Sequence, residues 1–291
     1  MQRSIPHHMD HREFLEFEYA LVNPTQLEPE QWRDLPAESL RPRSFSAKPE
    51  TLPQVVALNA LSLDKRADLL MRSEQWLRGN RAPLFSALLR SGQRQETLVA
   101  HFSARQIVAT PQGQRFLLRF HDPRVFARLD WLLNGAQIRQ LLGPVDAWTW
   151  FDGLAGQWRT LHKPAPAKKP MPTMLSGEQW AALHRLPALN LCLKRLWREG
   201  RVPQDYRALA ERVDASVREA LSLGMADRDD ACRYALGVER YGPQWPDRPY
   251  VRDAIRLAQS GEQSLVRGLA DSEESGPHSA AHEVDHSSRY V

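Results

Sequence analysis

The segment Arg119-Phe-His-Asp-Pro-Arg124 gathers an imidazole, a carboxylate and two guanidiniums within six positions. His121 beside Asp122 has the composition of an acid–base pair, a carboxylate steadying an imidazole whose ordinary pKa lies near neutrality. The spacing speaks against that use. Adjacent residues leaving a strand point to opposite faces, so the two side chains diverge. The same letters also read as the start of a helix. Asp122 stands at the cap position, able to accept backbone N–H bonds from the first turn, and Pro123 at the first helical position needs no donor. Arg124 can then pair with Asp122 or reach a neighbouring carbonyl. Arg119, Asp122, Pro123 and Arg124 are therefore read as a structural motif and a candidate surface for a partner, with no catalytic residue assigned.

Other reactive residue types are placed less tellingly. Trp148 and Trp150 are two apart on an expected strand and so share a face. They are candidate partner-binding residues, with core packing as the alternative. His278, His282 and His286 are spaced four apart with Glu283 and Asp285 alongside, a spacing that aligns imidazoles on a helix for zinc. Pro277 precedes them and nothing apolar would fold the segment, so no metal or other cofactor is expected. His7, His8 and His11 make a weaker case still. Cys192 and Cys232 sit among Leu, Ala and Tyr in helical sequence, as small buried hydrophobes would. No nucleophile elbow, phosphate-binding loop, dinucleotide fingerprint or zinc-protease motif occurs, and the expectation is a protein that is not an enzyme.

The elements that must hold these residues fall into two groups. Up to Leu161 the pattern mixes strands and helices. Residues 14–19 alternate imperfectly into a strand, Ala20-Leu-Val22, which Asn23-Pro24 ends, and Gln54–Leu58 reads as a buried strand. Leu63–Leu77 is an amphipathic helix, Pro83–Leu89 a strand or short helix, and Glu96–Arg105 a helix. Ile107–Thr110 and Gln114–Phe120 are strands around a turn, followed by helices over 123–131 and 136–142 and strands over 145–152 and 157–161. From Ser176 the period is helical throughout. Ser176 with Gln179 forms a capping box, Pro187 should kink or restart that helix, and Gly224 and Asp227 mark later ends and starts. The fold class is α+β followed by an all-α lobe. Between them, four prolines and three lysines crowd the eleven residues His162–Pro172, a semi-rigid spacer. The expected organisation is a mixed domain over 1–162, a Pro/Lys linker over 163–173, a helical lobe over 174–270 and a disordered tail over 271–291.

Composition narrows the class. The 291 residues are 42% hydrophobic and 25% charged, which excludes wholesale disorder and a fibrous repeat. No run of eighteen apolar residues is present, and Met1–Asp10 lacks the apolar stretch of a signal peptide, so the expected location is the cytoplasm, without membrane insertion. Two distant cysteines fit a reducing compartment. The net charge of +4 is spread thinly, +3 over 1–162, +3 over the linker, +2 over the helical lobe and −4 in the tail. A nucleic-acid binder concentrates its excess on one face, so no nucleic-acid partner is expected.

Taken in order, Tyr19-Ala-Leu-Val22, Leu98-Val-Ala-His101, Leu118-Arg-Phe-His-Asp-Pro-Arg-Val125, Gln137-Ile-Arg-Gln-Leu-Leu-Gly-Pro144 and Trp148 resemble the effector-adaptor (chaperone) family of the bacterial type VI secretion system. The likeness covers about residues 14–162. The part from Leu175-Ser-Gly-Glu-Gln-Trp180 onward is similar to the family's usual C-terminal extension. Asn23-Pro24 departs from the Asp-Gly type of turn common there. The resemblance implies a non-enzymatic cytoplasmic adaptor that binds a toxin effector and helps load it onto the VgrG spike or its PAAR tip. Two other classes remain beside it: a hydrolase using His121 and Asp122, and a nucleic-acid-binding protein using the linker lysines.

Overall fold

Four short runs, Tyr19–Val22 (β1), Gln54–Ala57 (β3), Ala87–Arg90 (β4) and Ala147–Asp152 (β7), carry the apolar and β-branched residues that suit a pleated surface. With Ala37–Ser39 (β2) and Gln157–His162 (β8) they form one antiparallel sheet in the order β2-β3-β1-β4-β7-β8. β1 lies at its middle, Tyr19 standing opposite Ala57 on one side and Leu89 on the other. Ile107–Ala109 (β5) and Arg115–Leu117 (β6) make a separate hairpin. The computed structural model describes residues 9–43, 48–78, 83–110, 113–166 and 173–275, with the side chains of Pro49 and 271–275 left aside.

The central strands show no alternation of apolar and polar residues because helices cover both faces of the sheet. Tyr19, Leu21, Val55, Leu89, Trp148 and Trp150 face helices Gln95–Arg105 (α3), Pro123–Leu132 (α4) and Gly135–Leu142 (α5), which supply Phe102, Phe126, Leu129 and Leu142. Ala20, Val22, Val56 and Leu88 face the other way, against Phe14 of His11–Leu15 (α1) and Leu69, Leu70 and Trp76 of Leu63–Arg78 (α2). These elements belong to the first of two compact units, Met1–Leu183 and His184–Val291. The division falls inside helix Gly177–Arg198 (α6), whereas residues 167–172 of the Pro/Lys stretch lie outside the described residues.

Three local expectations need correction. Residues 11–15 are helical, not the approach to a strand: Asp10 caps α1 by accepting from Arg12 N at 2.6 Å, and Phe14 and Phe17 are buried together. The far end of that helix is finished by Arg66, which donates to the carbonyls of Phe14, Leu15 and Phe17 at 3.1, 2.9 and 2.7 Å. Residues 114–120 pair as a strand only over Arg115–Leu117. Finally, α6 continues through Pro187 as one element of 22 residues, so the helix does not restart there. Proline removes one backbone bond, but Leu186, Leu189, Leu193 and Leu196 are all buried, and that packing holds the helix together. Asn23 accepts from Thr25 N and Thr25 Oγ1 and so caps a single 3-10 turn.

The second unit is helical, as its sequence period requires. Arg207–Ser222 (α7) buries Leu209, Val213, Val217 and Ala220 at spacings of three and four. Arg228–Tyr241 (α8) begins at Asp227, which accepts from Asp229 N and Asp230 N, and Gly237 gives room to the Trp245 ring. Pro249–Ser260 (α9) ends at Gly261 with φ +75°, and Leu265–Ser275 (α10) runs past Asp271, the expected start of the tail. Residues 276–291, with the three spaced histidines, lie outside the described residues. Among the described residues no helix is long and apolar enough to cross a membrane.

Candidate functional site

The segment Arg119–Arg124 is the elbow between hairpin β5–β6 and helix α4. The chain turns there because Asp122 N donates to Arg119 O at 2.9 Å, and the Asp122 carbonyl then accepts from Val125 N and Phe126 N, both at 2.9 Å. The Asp122 carboxylate caps the helix, with Arg124 N at 3.0 Å. Its two oxygens also take the Arg124 guanidinium side-on, from Nε at 3.0 Å and Nη2 at 2.7 Å, while Arg119 Nη2 stands 3.8 Å away. Burial pushes the carboxyl pKa up, but the Arg124 bonds and charge outweigh it and leave the group below the usual carboxylate range. Asp122 is an anion committed to its own helix and its own arginine.

His121 points inward and is 5% exposed. Burial, helped by the charge of Arg119, pushes its pKa down to about 4, so the ring is neutral near pH 7. Its ring lies beside Phe120, centroids 6.3 Å apart, and its Nδ1 meets no hydrogen-bond partner among the described residues. A general base working at neutrality needs a pKa near the working pH, and His121 is far from that.

Trp148 and Trp150 share a face of β7, as their spacing requires, and that face is the inner one. Trp148 is fully buried, stacked on Phe126 of α4 at 4.5 Å and edge-on to Phe102 and Phe120. Trp150 meets the same Phe126 at 5.1 Å. The elbow therefore sits over an aromatic stack, and the tryptophans set its position from beneath.

Two features escaped the sequence. The first joins α5 to the start of α6 within the first unit. Asn134 and Gln137 form one capping box, Ser176 and Gln179 another. The two glutamines also bond to each other, Gln137 Nε2 donates to Met174 O at 2.8 Å, and Gln179 Nε2 donates to Leu132 O at 2.9 Å. Ser176-x-x-Gln179 was legible as a cap, but its second set of partners lies some forty residues away. The second feature is the close approach of His101 to Gly143. A β-carbon on Gly143, at φ +54°, would meet the imidazole at 2.2 Å, and His101 is held there by a contact of 3.0 Å from Nε2 to Leu141 O.

Cys192 and Cys232 are both buried in the second unit, with Cys192 Sγ 3.7 Å from Cys232 O. Its contact with Cys232 and its burial keep the Cys192 thiol protonated. Among the described residues no group of three or more His, Cys, Asp or Glu side chains could hold a metal ion.

Residues 19–140 match the family model of a domain of unknown function (DUF4123). The match begins with β1 and ends within α5, so it takes in the elbow and stops short of β7 and its tryptophans. No curated protein and no solved structure matches the chain.

Proposed function

We propose that this chain is a non-enzymatic adaptor that holds a toxin effector of a type VI secretion system and helps load it onto the VgrG spike or its PAAR tip. The observation that carries the reading is the family match over residues 19–140, since that domain is associated with type VI secretion effector adaptors. The elbow agrees with a binding protein rather than a catalyst. Its carboxylate is occupied by Arg124 and the α4 N-terminus, and its imidazole is buried and neutral. Neither is left to move a proton. The test is affinity purification of the full chain from its native cell, with mass spectrometry of what comes down. A toxin together with spike components is the expected result. Recovery of neither, or a hydrolytic turnover that His121→Gln abolishes, would overturn the reading.

A further inference from the structure

Hairpin β5–β6 stands apart from the main sheet and has two unlike faces. Val108 and Phe116 are paired on one face; Phe116 packs on Trp180 of α6, ring centroids 5.6 Å apart, and Leu118 packs on the core. On the other face the register sets Ile107 opposite Leu117 and Ala109 opposite Arg115. Arg115 and Leu117 are exposed, Leu117 by 36%, and the side chain of Arg119, two residues on, is 50% exposed. Arg124 follows at the head of α4, 63% exposed.

The charge of this stretch is one-sided. Residues 97–121 hold three arginines and no acid, in a chain whose whole excess is +4. The first acid that follows is Asp122, buried and engaged closely by Arg124 at 2.7 Å, with Arg119 Nη2 only at the edge of its reach, 3.8 Å from the same oxygen, so the half-exposed Arg119 keeps most of its fork for another carboxylate. Arg115 and Arg119 thus flank an apolar pair, Ile107 and Leu117, on an outward-facing strip. Residues two apart on a strand are about 6.6–6.8 Å apart. A guanidinium presents a planar fork that matches a carboxylate.

We propose that this strip is where the chain grips its protein partner, and that it takes an extended segment of that partner in which acidic residues flank an apolar one. The proposal rests on the adaptor reading for the partner's being a protein, and adds the surface and the chemistry. A nucleic acid is disfavoured by the apolar centre of the strip and by the pairing of Arg124 with Asp122, which leaves few cations to displace counterions.

The experiment uses the full chain and the toxin effector recovered by native purification. Affinity is measured for the wild type, for Arg115→Glu with Arg119→Glu, and for Leu117→Ser. Arg252→Glu with Arg256→Glu, on the exposed side of α9, makes the same charge change elsewhere. Circular dichroism and melting confirm that each variant is folded, and Arg115→Lys with Arg119→Lys serves where the reversal is not. The expected result is at least about a tenfold loss for the hairpin reversal and for Leu117→Ser, under about twofold for the α9 control, and wild-type binding that weakens with salt. The lysine pair should fall between, keeping charge without the fork. Hydrogen exchange on the effector should then protect a segment with acidic flanks. Unchanged affinity in the folded hairpin variants overturns the proposal, as does a protected segment without acids, or tight binding of a 20-base-pair duplex that the same variants lose. If native purification returns no partner, the adaptor reading falls and this one with it. If it returns one that ignores Arg115, Leu117 and Arg119, only this proposal falls.

Discussion

Replacing His121 by Phe should flatten the acid side of the stability profile. In the folded chain His121 titrates at about 4, against an ordinary value of 6.5. Between those values the unfolded chain binds a proton that the folded chain refuses, so folding weakens as the pH falls. Stability from this residue is whole above about pH 6.5, declines through the window and levels off below about 4. One pKa unit is worth about 1.36 kcal/mol, so the full window costs roughly 3 kcal/mol, and about 2 kcal/mol is already gone at pH 5. Phenylalanine keeps a ring beside Phe120 and has no proton to take up. His101 is also lowered, chiefly by burial, and contributes in the same direction. It is present in both proteins and cancels in the difference. Urea melts at pH 7, 6, 5 and 4.5 measure the effect, with His121→Gln as a second variant in case the larger ring is poorly accommodated. Parallel profiles for wild type and variants would refute the reasoning. So would an imidazole that titrates near 7 by NMR, which would return His121 to the list of working bases.

Three further outcomes are expected. Asp122→Ala removes the α4 cap and should cost about 0.5–2 kcal/mol, whereas Asp122→Asn keeps an acceptor for Arg124 N and should cost less; equal urea midpoints for all three proteins at pH 7 would deny the cap its role. The lowered Asp122 pKa places the loss of its ionic contribution below about pH 4, beneath the His121 window. Gly143→Ala should lose about 2 kcal/mol or more in the same melts, because the added carbon meets the His101 ring at a left-handed φ; a neutral result would mean that the ring swings away freely. Gln179→Ala leaves the Leu132 carbonyl and the Gln137 amide short of partners, which should cost about 1–3 kcal/mol and speed hydrogen exchange in the first turn of α6; unchanged exchange would show the glutamine pair to be idle.

The fold class was legible because the strongest signals were local. β1, β3 and β7 are dense in apolar residues, and α2, α4 and α5 carry clear helical spacing, so type and order came through. What failed was decided by residues far away in sequence. Residues 14–19 read as the approach to a strand because a few alternating apolar and polar residues arise easily in a short window, and helix His11–Leu15 takes the first two of them. Nothing local announces that Arg66, some fifty positions on, will satisfy its last carbonyls. Pro187 signals a kink or a restart by its own chemistry, and with four leucines buried around it the helix does not restart. At the elbow, Asp122-Pro123 was readable as a cap, and the bond to Arg124 N follows. The spacing of Trp148 and Trp150 set their common face but not which side of the sheet holds water; Phe126, from another element, settles that.

The same period of two that hid the hairpin's role explains how it could work. Along residues 115–120, exposed and anchored positions alternate: Arg115, Leu117 and Arg119 face outward, while Phe116 rests on Trp180, Leu118 on the core and Phe120 between Phe102 and Trp148. An arginine on a loose loop loses much of its binding energy to ordering. Here each exposed side chain stands on a backbone whose neighbours are pinned, so less is lost when a partner arrives. The elbow continues the arrangement, because Asp122 N bonds to Arg119 O and its carboxylate fixes the start of α4. On the proposal above, the buried Trp148 would bear on recognition without touching a partner: it packs on Phe120 within the elbow and on Phe126 just beyond it, and so steadies the backbone that carries Arg119 and Arg124.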